Sequence, residues 1–575
     1  MPLIHAVEYV APISAVLAIA LLPLGPLLFP RAYILFLLSY FSLFLYLSIN
    51  HFFKFCITVR QIKRNVRRWN QYLSTNRSPS SSANGNNGAN NATLSNSRVS
   101  YDLDGGEEDR LNEMESALKP YDDHYFVHAF IIPNYNEPEA LLRDTIKRLA
   151  SHRHARTNYV IILAMEAREV NQVQKGASLQ SQFESNFLHF IVTAHPAGVP
   201  GEAPGKGSNV SYAARVGCSE LVHRGIDKRR IIITNTDSDA SIPELYVQHV
   251  EKTLNEADDP YALLLAPPIF FSRNSLEVPA PVRVTDIVWS IMVMQNLSNG
   301  RGMAIPCSTY TLSLMLAERV GYWDVDAGAI GEDMHMFLKV FFRTDGYARG
   351  VPIYVPVNMT NVQTTGFMSN MYARYVQARR HYKGVADVAY ALRSALVPKS
   401  TPLDTMMGSQ ERKSNAGAFL DKFLVCLHVL EAHMIPVTSG WLMFAAVPVT
   451  QFLLFPPAPL VPYVAPAENP ILTSEFYATI WNLVKILTVL LPMPLLACVV
   501  LYEGLHRVVE RELFRKPRQG CRSFKNAVDY LWLPVSAWLF MTLPSTIASV
   551  QRFFREDDHY HVAEKVFNGE SDSEA

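Results

Sequence analysis

Five separate apolar stretches constrain this chain more than anything else in it: Val10 to Phe29, Ala32 to Phe53, Ile435 to Phe455, Tyr477 to Leu501 and Tyr530 to Ser549. A helix needs about 20 apolar residues, rising about 1.5 Å each, to cross a hydrocarbon core of roughly 30 Å. Each stretch meets that length, and internal prolines are better tolerated in spanning helices than in soluble ones. The first stretch reads as an anchor rather than a signal peptide, because nothing before it is basic and no small-residue cleavage site precedes the second. Composition agrees, with 49% of residues hydrophobic and only 18% charged.

The basic residues orient these spans. Lys54, Arg60, Lys63, Arg64, Arg67 and Arg68 crowd the exit of the second, and Arg507, Arg511, Arg515, Lys516, Arg518, Arg522 and Lys525 fill the loop before the last, whereas the proline-rich loop from Pro456 to Glu475 has none. The positive-inside rule then places everything from Lys54 to about Met434 in the cytoplasm. Lys and Arg total 52, as do Asp and Glu, so no overall basic field argues for a nucleic-acid partner. Six cysteines without a CxxC pair support neither a disulfide framework nor a zinc site.

The expected organisation is two transmembrane helices in 1–55, a basic juxtamembrane segment and linker in 56–120, an α/β domain in 121–395, an interfacial segment in 396–434, three transmembrane helices in 435–550 and a tail in 551–575. The Ser/Asn/Gly tract from Ser74 to about Leu111 has too few large apolar residues to offset its ordering entropy and reads as disordered. The stretch Thr405 to Ala418 is a candidate gate by position alone. From Tyr125 onward, continuous apolar runs alternate with amphipathic helices: "YFVHAFIIPNYNE", "NYVIILAME", "FLHFIVTAHP" and "RRIIITNTDSD" read as strands, with helices over 139–151, 207–224 and 243–256. Such strands form a mainly parallel sheet covered on both faces, and ligands bind at the carboxyl ends of its strands. Asn134, Glu166 and Asp237 fall at that edge.

Several groups there carry chemistry. Asp237 and Asp239 of "TDSDA" share one face if the backbone is extended, and two hard oxygen donors suit Mg²⁺ or Mn²⁺. A turn followed by a helix cap is the alternative. Lys206, flanked by glycines in "APGKGSNVSYA", stands at a helix start where free N–H groups favour an anion, or is an ordinary solvated lysine. "GYWDVDAGAIGEDMHM" adds Glu332 and Asp333, which also suit the first turn of a helix. "QARRHYKG" places Arg379, Arg380 and Lys383 on a helix, ready for a diphosphate or for the membrane surface.

The ordered set of PNYNE, an acid ending the second strand, GKGSN, TDSDA, GED and QxxR over residues 125–390, with spans on both sides, resembles the membrane-bound family 2 glycosyltransferases. These include the cellulose, chitin and hyaluronan synthases and glucosylceramide synthase; the fungal type 2 membrane glycosyltransferases of the cell surface look most similar. The resemblance implies a GT-A, Rossmann-like fold that binds a nucleotide sugar, UDP-linked by analogy, and transfers the sugar with inversion at the plasma membrane. It places Asn134, Tyr135, Glu137 and Glu166 around the nucleotide and Lys206 near it, with Asp237 and Asp239 on the metal. Asp333 is implied as catalytic base with Glu332 beside it, and Gln377 and Arg380 by the diphosphate and acceptor. Two departures stand out: His381 occupies the position of the family's acceptor-stacking tryptophan in QxxRW, and "LAMEAR" offers Glu166 in place of an Asp.

The expected function is a polysaccharide synthase that extends a cell-surface glycan and passes it through its own helices, for which Pro436, Pro448, Pro492, Pro494, Pro534 and Pro544 permit bends. Five spans are few for a polymer channel, which keeps transfer of one sugar to a membrane lipid as an alternative. A transporter or non-catalytic scaffold is an alternative of another class. Transporters place ionisable groups within their spans, and Lys485 is the clear candidate here.

Overall fold

A computed structural model describes residues 6–76, 125–326, 328–329, 331–397, 415–455, 469–517 and 520–554. Most of the Ser/Asn/Gly tract, residues 405–414 of the candidate gate, most of the proline-rich loop and the tail from 555 lie outside them.

The chain begins with helices α1 (Val10–Leu28) and α2 (Pro30–Asn76). Helix α2 runs on through the basic cluster, so the juxtamembrane segment is the far half of the second span's own helix. Phe55, Val59, Ile62 and Val66, spaced by four, three and four, are buried in the core of the α/β domain. Polar contacts fix the register, with Lys54 Nζ donating to Asn299 Oδ1 at 2.7 Å and Thr58 Oγ1 to the Met294 carbonyl at 2.8 Å.

The domain follows as β1 (Val127–Pro133), α3 (Glu139–Ala150), β2 (Tyr159–Glu166), α4 (Gln172–Phe183), β3 (His189–His195), α5 (Lys206–His223), β4 (Ile231–Asn235), α6 (Glu244–Asn255) and β5 (Leu263–Ala266). Then come β6 (Ile269–Phe270), α7 (Ala280–Leu297), β7 (Tyr310–Ser313), α8 (Leu314–Val320), α9 (Glu332–Arg343), β8 (Arg349–Pro352), β9 (Val357–Asn358), α10 (Phe367–Tyr382) and α11 (Ala386–Leu396). Seven strands form one sheet in the order β3-β2-β1-β4-β7-β5-β8, with β7 running against both neighbours and the other pairs parallel. The continuous apolar runs are explained by burial on both faces. Tyr159, Ile161, Leu163 and Met165 of β2 enter one core, and Val160, Ile162 and Ala164 the other.

The expectation that Asp237 and Asp239 lie in extended backbone is corrected. β4 ends at Asn235, and the Ala240 N–H closes back on the Asp237 carbonyl at 3.1 Å, so the two carboxylates stand on a turn. The strand stops there because the pairing with β1 and β7 stops at Asn235.

The C-terminal part comprises α12 (Asn415–Leu454), α13 (Glu475–Leu490), α14 (Met493–Val508) and, last, α15 (Leu543–Gln551). Among the described residues five helical segments are long and apolar enough to cross a membrane: Val7–Leu28, Pro30–Ser74, Gly417–Leu454, Glu475–Leu513 and Lys525–Gln551. α1 packs on α12, and α2 on α13 and α14, so the two ends of the chain form one bundle. Gly440 permits the close approach of α12 to Thr542, whose Oγ1 would lie 1.8 Å from an added Cβ. Lys485 lies on the exposed face of α13.

Candidate active site

The carboxyl ends of β1, β2 and β4, the starts of α5 and α9 and the end of α10 surround one cavity of about 340 Å³. Asn134, Tyr135, Glu137, Glu166, Lys206, Asp237, Asp239, Glu332, Asp333, Gln377 and Arg380 all line it. Arg379 and Lys383 are not in its wall.

At the β1 and β2 ends the side chains are held by partners that pattern reading missed. Asn134 Nδ2 donates to Glu169 Oε2 at 2.5 Å, and the same oxygen accepts the Asn136 N–H at 3.2 Å; Glu169 also pairs with Lys175. Glu169 therefore fixes the PNYNE turn. Glu166 is buried and receives Arg168 NH2 at 3.2 Å and His195 Nδ1 at 3.3 Å. The Arg168 guanidinium also lies 4.8 Å from the centre of the Tyr135 ring and lines the cavity.

The glycine-flanked lysine has a local explanation. Ser208 Oγ donates to the Ala203 carbonyl at 2.6 Å and Asn209 Nδ2 to the Ala164 carbonyl at 2.8 Å, pinning the start of α5 to β2. A Cβ on Gly207 would lie 3.2 Å from the Asp324 carbonyl, so glycine allows the first turn of α5 to approach the segment before α9. Lys206 Nζ then reaches Asp237 Oδ1 at 2.7 Å and Glu332 Oε2 at 3.0 Å. Burial disfavours its charge, but the carboxylates of Asp237, Glu332 and Asp333 outweigh it and hold the ammonium well above its ordinary pKa. Without ligand, the positive group beside Asp237 is thus Lys206.

Glu332 and Asp333, adjacent in sequence, diverge in environment. Glu332 is buried, accepting Asn235 Nδ2 at 2.7 Å, Trp323 Nε1 at 3.2 Å and the Tyr310 hydroxyl as well as Lys206. Burial pushes its carboxyl pKa up against the opposing effect of Lys206. Asp333 is part-buried and accepts two backbone N–H groups, Ser308 on Oδ2 at 2.6 Å and Met334 on Oδ1 at 2.9 Å.

Ser308 links the two acidic motifs. Its backbone N–H holds Asp333 while its Oγ donates to Asp237 Oδ2 at 2.6 Å. Its φ of 63° is left-handed, a conformation costing a non-glycine residue of the order of 1–3 kcal/mol and concentrated at functional sites. "PCSTY" gives no pattern from which this could be read.

Asp239 is buried and accepts from Thr360 Oγ1. With Asp237 it supplies hard oxygen donors on one cavity wall, a set that suits Mg²⁺ or Mn²⁺. Among the described residues no group of three or more His, Cys, Asp or Glu forms a metal site. His381 also lines the cavity, and the ring of Trp289 on α7 lies 5.5 Å from it. A tryptophan thus stands beside the imidazole, contributed by another helix.

Behind α9, His335 donates between Asp387 Oδ1 at 2.6 Å and Asp324 Oδ2 at 3.0 Å. Burial opposes its charge, but the two carboxylates win and raise its pKa from 6.5 to about 9. A raised folded-state value contributes stability that is complete below about 6.5 and lost as pH rises through about 9. Stability is therefore expected to fall between pH 7.5 and 10, by on the order of 2 kcal/mol, and to lose that dependence in His335→Gln. A wild-type melting temperature that is level over this range would remove the charged His335 from the fold's support.

A mainly parallel sheet with carboxylates, a glycine-flanked lysine and an arginine at the carboxyl edge of its strands, flanked by membrane-length helices, defines a GT-A glycosyltransferase domain. The chain belongs to glycosyl transferase family group 2, whose profile matches residues 232–549, from inside β4 into α15. Among solved structures, mannosyltransferase PcManGT from Pyrobaculum calidifontis, in complex with GDP-Man and Mn²⁺, is 16% identical over 67% of this chain and 92% of its own, with a TM-score of 0.36. TarS residues 1–349 from S. aureus are 11% identical over 68% and 91%, at 0.31. Glucosyl-3-phosphoglycerate synthase from Mycobacterium tuberculosis, with Mg²⁺ and uridine diphosphate, is 14% identical over 48% and 81%, at 0.28. The comparison with curated proteins gives no match.

Proposed function

We propose that this chain is an inverting, divalent-cation-dependent hexosyltransferase. It moves a sugar from a UDP-linked donor to a growing cell-surface polysaccharide at the cytoplasmic face of the plasma membrane and passes the product through its own helices. The resemblance of the motif order to the membrane-bound family 2 enzymes supports the transferase reading, and the bend-permitting prolines of the C-terminal spans support the polymer reading. The observation that carries the proposal is the single residue Ser308 holding both Asp333 and Asp237, which sets a base beside the carboxylate that faces the diphosphate.

In this reading Asn134, Tyr135, Glu137 and Glu166 receive the nucleotide, and Gln377 and Arg380 face the diphosphate, Arg380 offering a planar fork of donors. Asp237 and Asp239 would hold Mg²⁺ or Mn²⁺, which when bound neutralises charge on the leaving diphosphate. Asp333 takes the proton of the acceptor hydroxyl as that oxygen bonds to the anomeric carbon, while the bond from this carbon to the diphosphate oxygen breaks with its electron pair. The two N–H bonds to Asp333 fix the direction of its carboxylate. Lys206 remains charged and balances Asp237 until the donor arrives.

The test is incubation of the purified full chain with radiolabelled UDP- and GDP-sugars, with and without EDTA. Label in polymer from a UDP-sugar, lost with EDTA, is the expected result. Label in a lipid extract would favour the single-transfer alternative, and no transfer from any donor would sink the transferase reading.

A further inference from the structure

Two positions after Asp333, His335 turns to the opposite, buried side of α9, and the reaction as written above gives it no part. Its ring donates to Asp387 Oδ1 on α11 at 2.6 Å and to Asp324 Oδ2 at 3.0 Å. One turn further along α9, the buried Lys339 pairs with Asp324 Oδ1 at 2.7 Å and donates to the Tyr322 carbonyl at 2.6 Å. Both oxygens of Asp324 are thus held from α9.

The segment that carries Asp324 is fastened to α5 as well. The Val325 carbonyl accepts the Ala203 N–H at 2.7 Å and Ser208 Oγ at 3.4 Å, and the Trp323 carbonyl accepts Ser211 Oγ at 3.2 Å. Asp324, Val325 and Asp326 also line the cavity. Residues 321–326 therefore span the gap between the helix start that carries Lys206 and the one that carries Glu332 and Asp333. Asp387, the other partner of His335, abuts the turn just before these acids, its Oδ2 lying 3.2 Å from where a Cβ on Gly331 would stand.

We propose that His335 is a positioning residue for sugar transfer: by bonding Asp324 and Asp387 at once it sets the first turn of α9, and Asp333 with it, against Lys206 and the donor cavity. The proposal rests on the transferase reading above. A neutral imidazole carries a single N–H and cannot donate to two carboxylates, so one of the two links is given up when the ring loses its proton. The charged and titratable groups facing the ring are Asp324, Asp387, Lys339 on its own helix and Tyr390 of α11, whose ring centre lies 4.3 Å away. A shift of about 1 Å in a reacting group costs up to roughly 10²-fold in rate, so a loosened first turn registers in kcat before it registers in donor binding.

The experiment uses the purified full chain with the radiolabelled nucleotide sugar that it turns over, at a temperature where a thermal melt shows each variant folded from pH 7 to 10. It reads kcat, the KM for the donor and equilibrium binding of UDP across that range. At pH 7, His335→Gln is expected to lower kcat by about tenfold, with UDP affinity within about twofold of wild type. Wild-type kcat is expected to decline above a pH of about 9, where His335 loses its proton, and the His335→Gln profile to lack that decline. Asp324→Asn, which keeps the shape and one acceptor oxygen, is expected to lower kcat likewise and supplies the comparison if His335→Gln does not fold. A kcat equal to wild type in every folded variant overturns the positioning role. So does an alkaline decline that persists in His335→Gln, or a loss of UDP affinity in step with kcat, which would leave His335 a support of the fold alone. A wild-type chain that turns over no nucleotide sugar would instead overturn the transferase reading, and this role with it.

Discussion

Asp333→Asn is expected to reduce sugar transfer by roughly 10²- to 10⁴-fold, the usual contribution of a general base, while nucleotide affinity and melting temperature stay close to wild type. The carboxylate is part-buried and accepts the N–H groups of Ser308 and Met334. Asparagine fits the same space and forfeits one of those two bonds, because its NH₂ cannot accept. The loss thus falls on proton removal rather than on folding. The measurements are the rate of label transfer, UDP affinity and a thermal melt on the same preparation. A variant retaining a tenth or more of the wild-type rate would place the base elsewhere.

The neighbouring residue is expected to behave in the opposite way. Glu332→Ala strips the shared acceptor from Lys206, Asn235, Tyr310 and Trp323. Removing one partner of a buried ion pair typically costs about 3–5 kcal/mol, which for a domain of this size lowers the melting temperature by roughly 10 °C. Any loss of activity should follow that loss of structure and recover in part on cooling. An unchanged melting temperature with transfer as low as in Asp333→Asn would instead put Glu332 in the chemistry. Two adjacent acids that were inseparable as "GED" thus stand in different environments, set by burial and donor number.

Lys206 shows the same division between pattern and packing. Its glycines and its place at the start of a helix point to an anion, and it does line the cavity with the acidic motifs. Its immediate partners, however, are Asp237 and Glu332, which are distant in sequence and brought together only when β4 and α9 converge. Trp289 is similar: nothing in α7 marks it, and only tertiary packing sets it beside His381.

By itself the sequence determined the five apolar helices, the alternation of strands and helices that makes a mainly parallel sheet, and the edge on which the acidic residues gather. These properties depend on periodicity and on runs of one kind of residue, and local chain geometry converts them directly into structure. Only the tertiary structure decided that "TDSDA" is a turn, that α2 reaches into the domain, and which carboxylate is saturated and which is presented to the cavity. It also decided that Ser308 and Asp387 belong to the cavity at all. Hydrogen-bond satisfaction and burial depend on what the rest of the chain places within a few ångströms, and residue order carries no local signal for it.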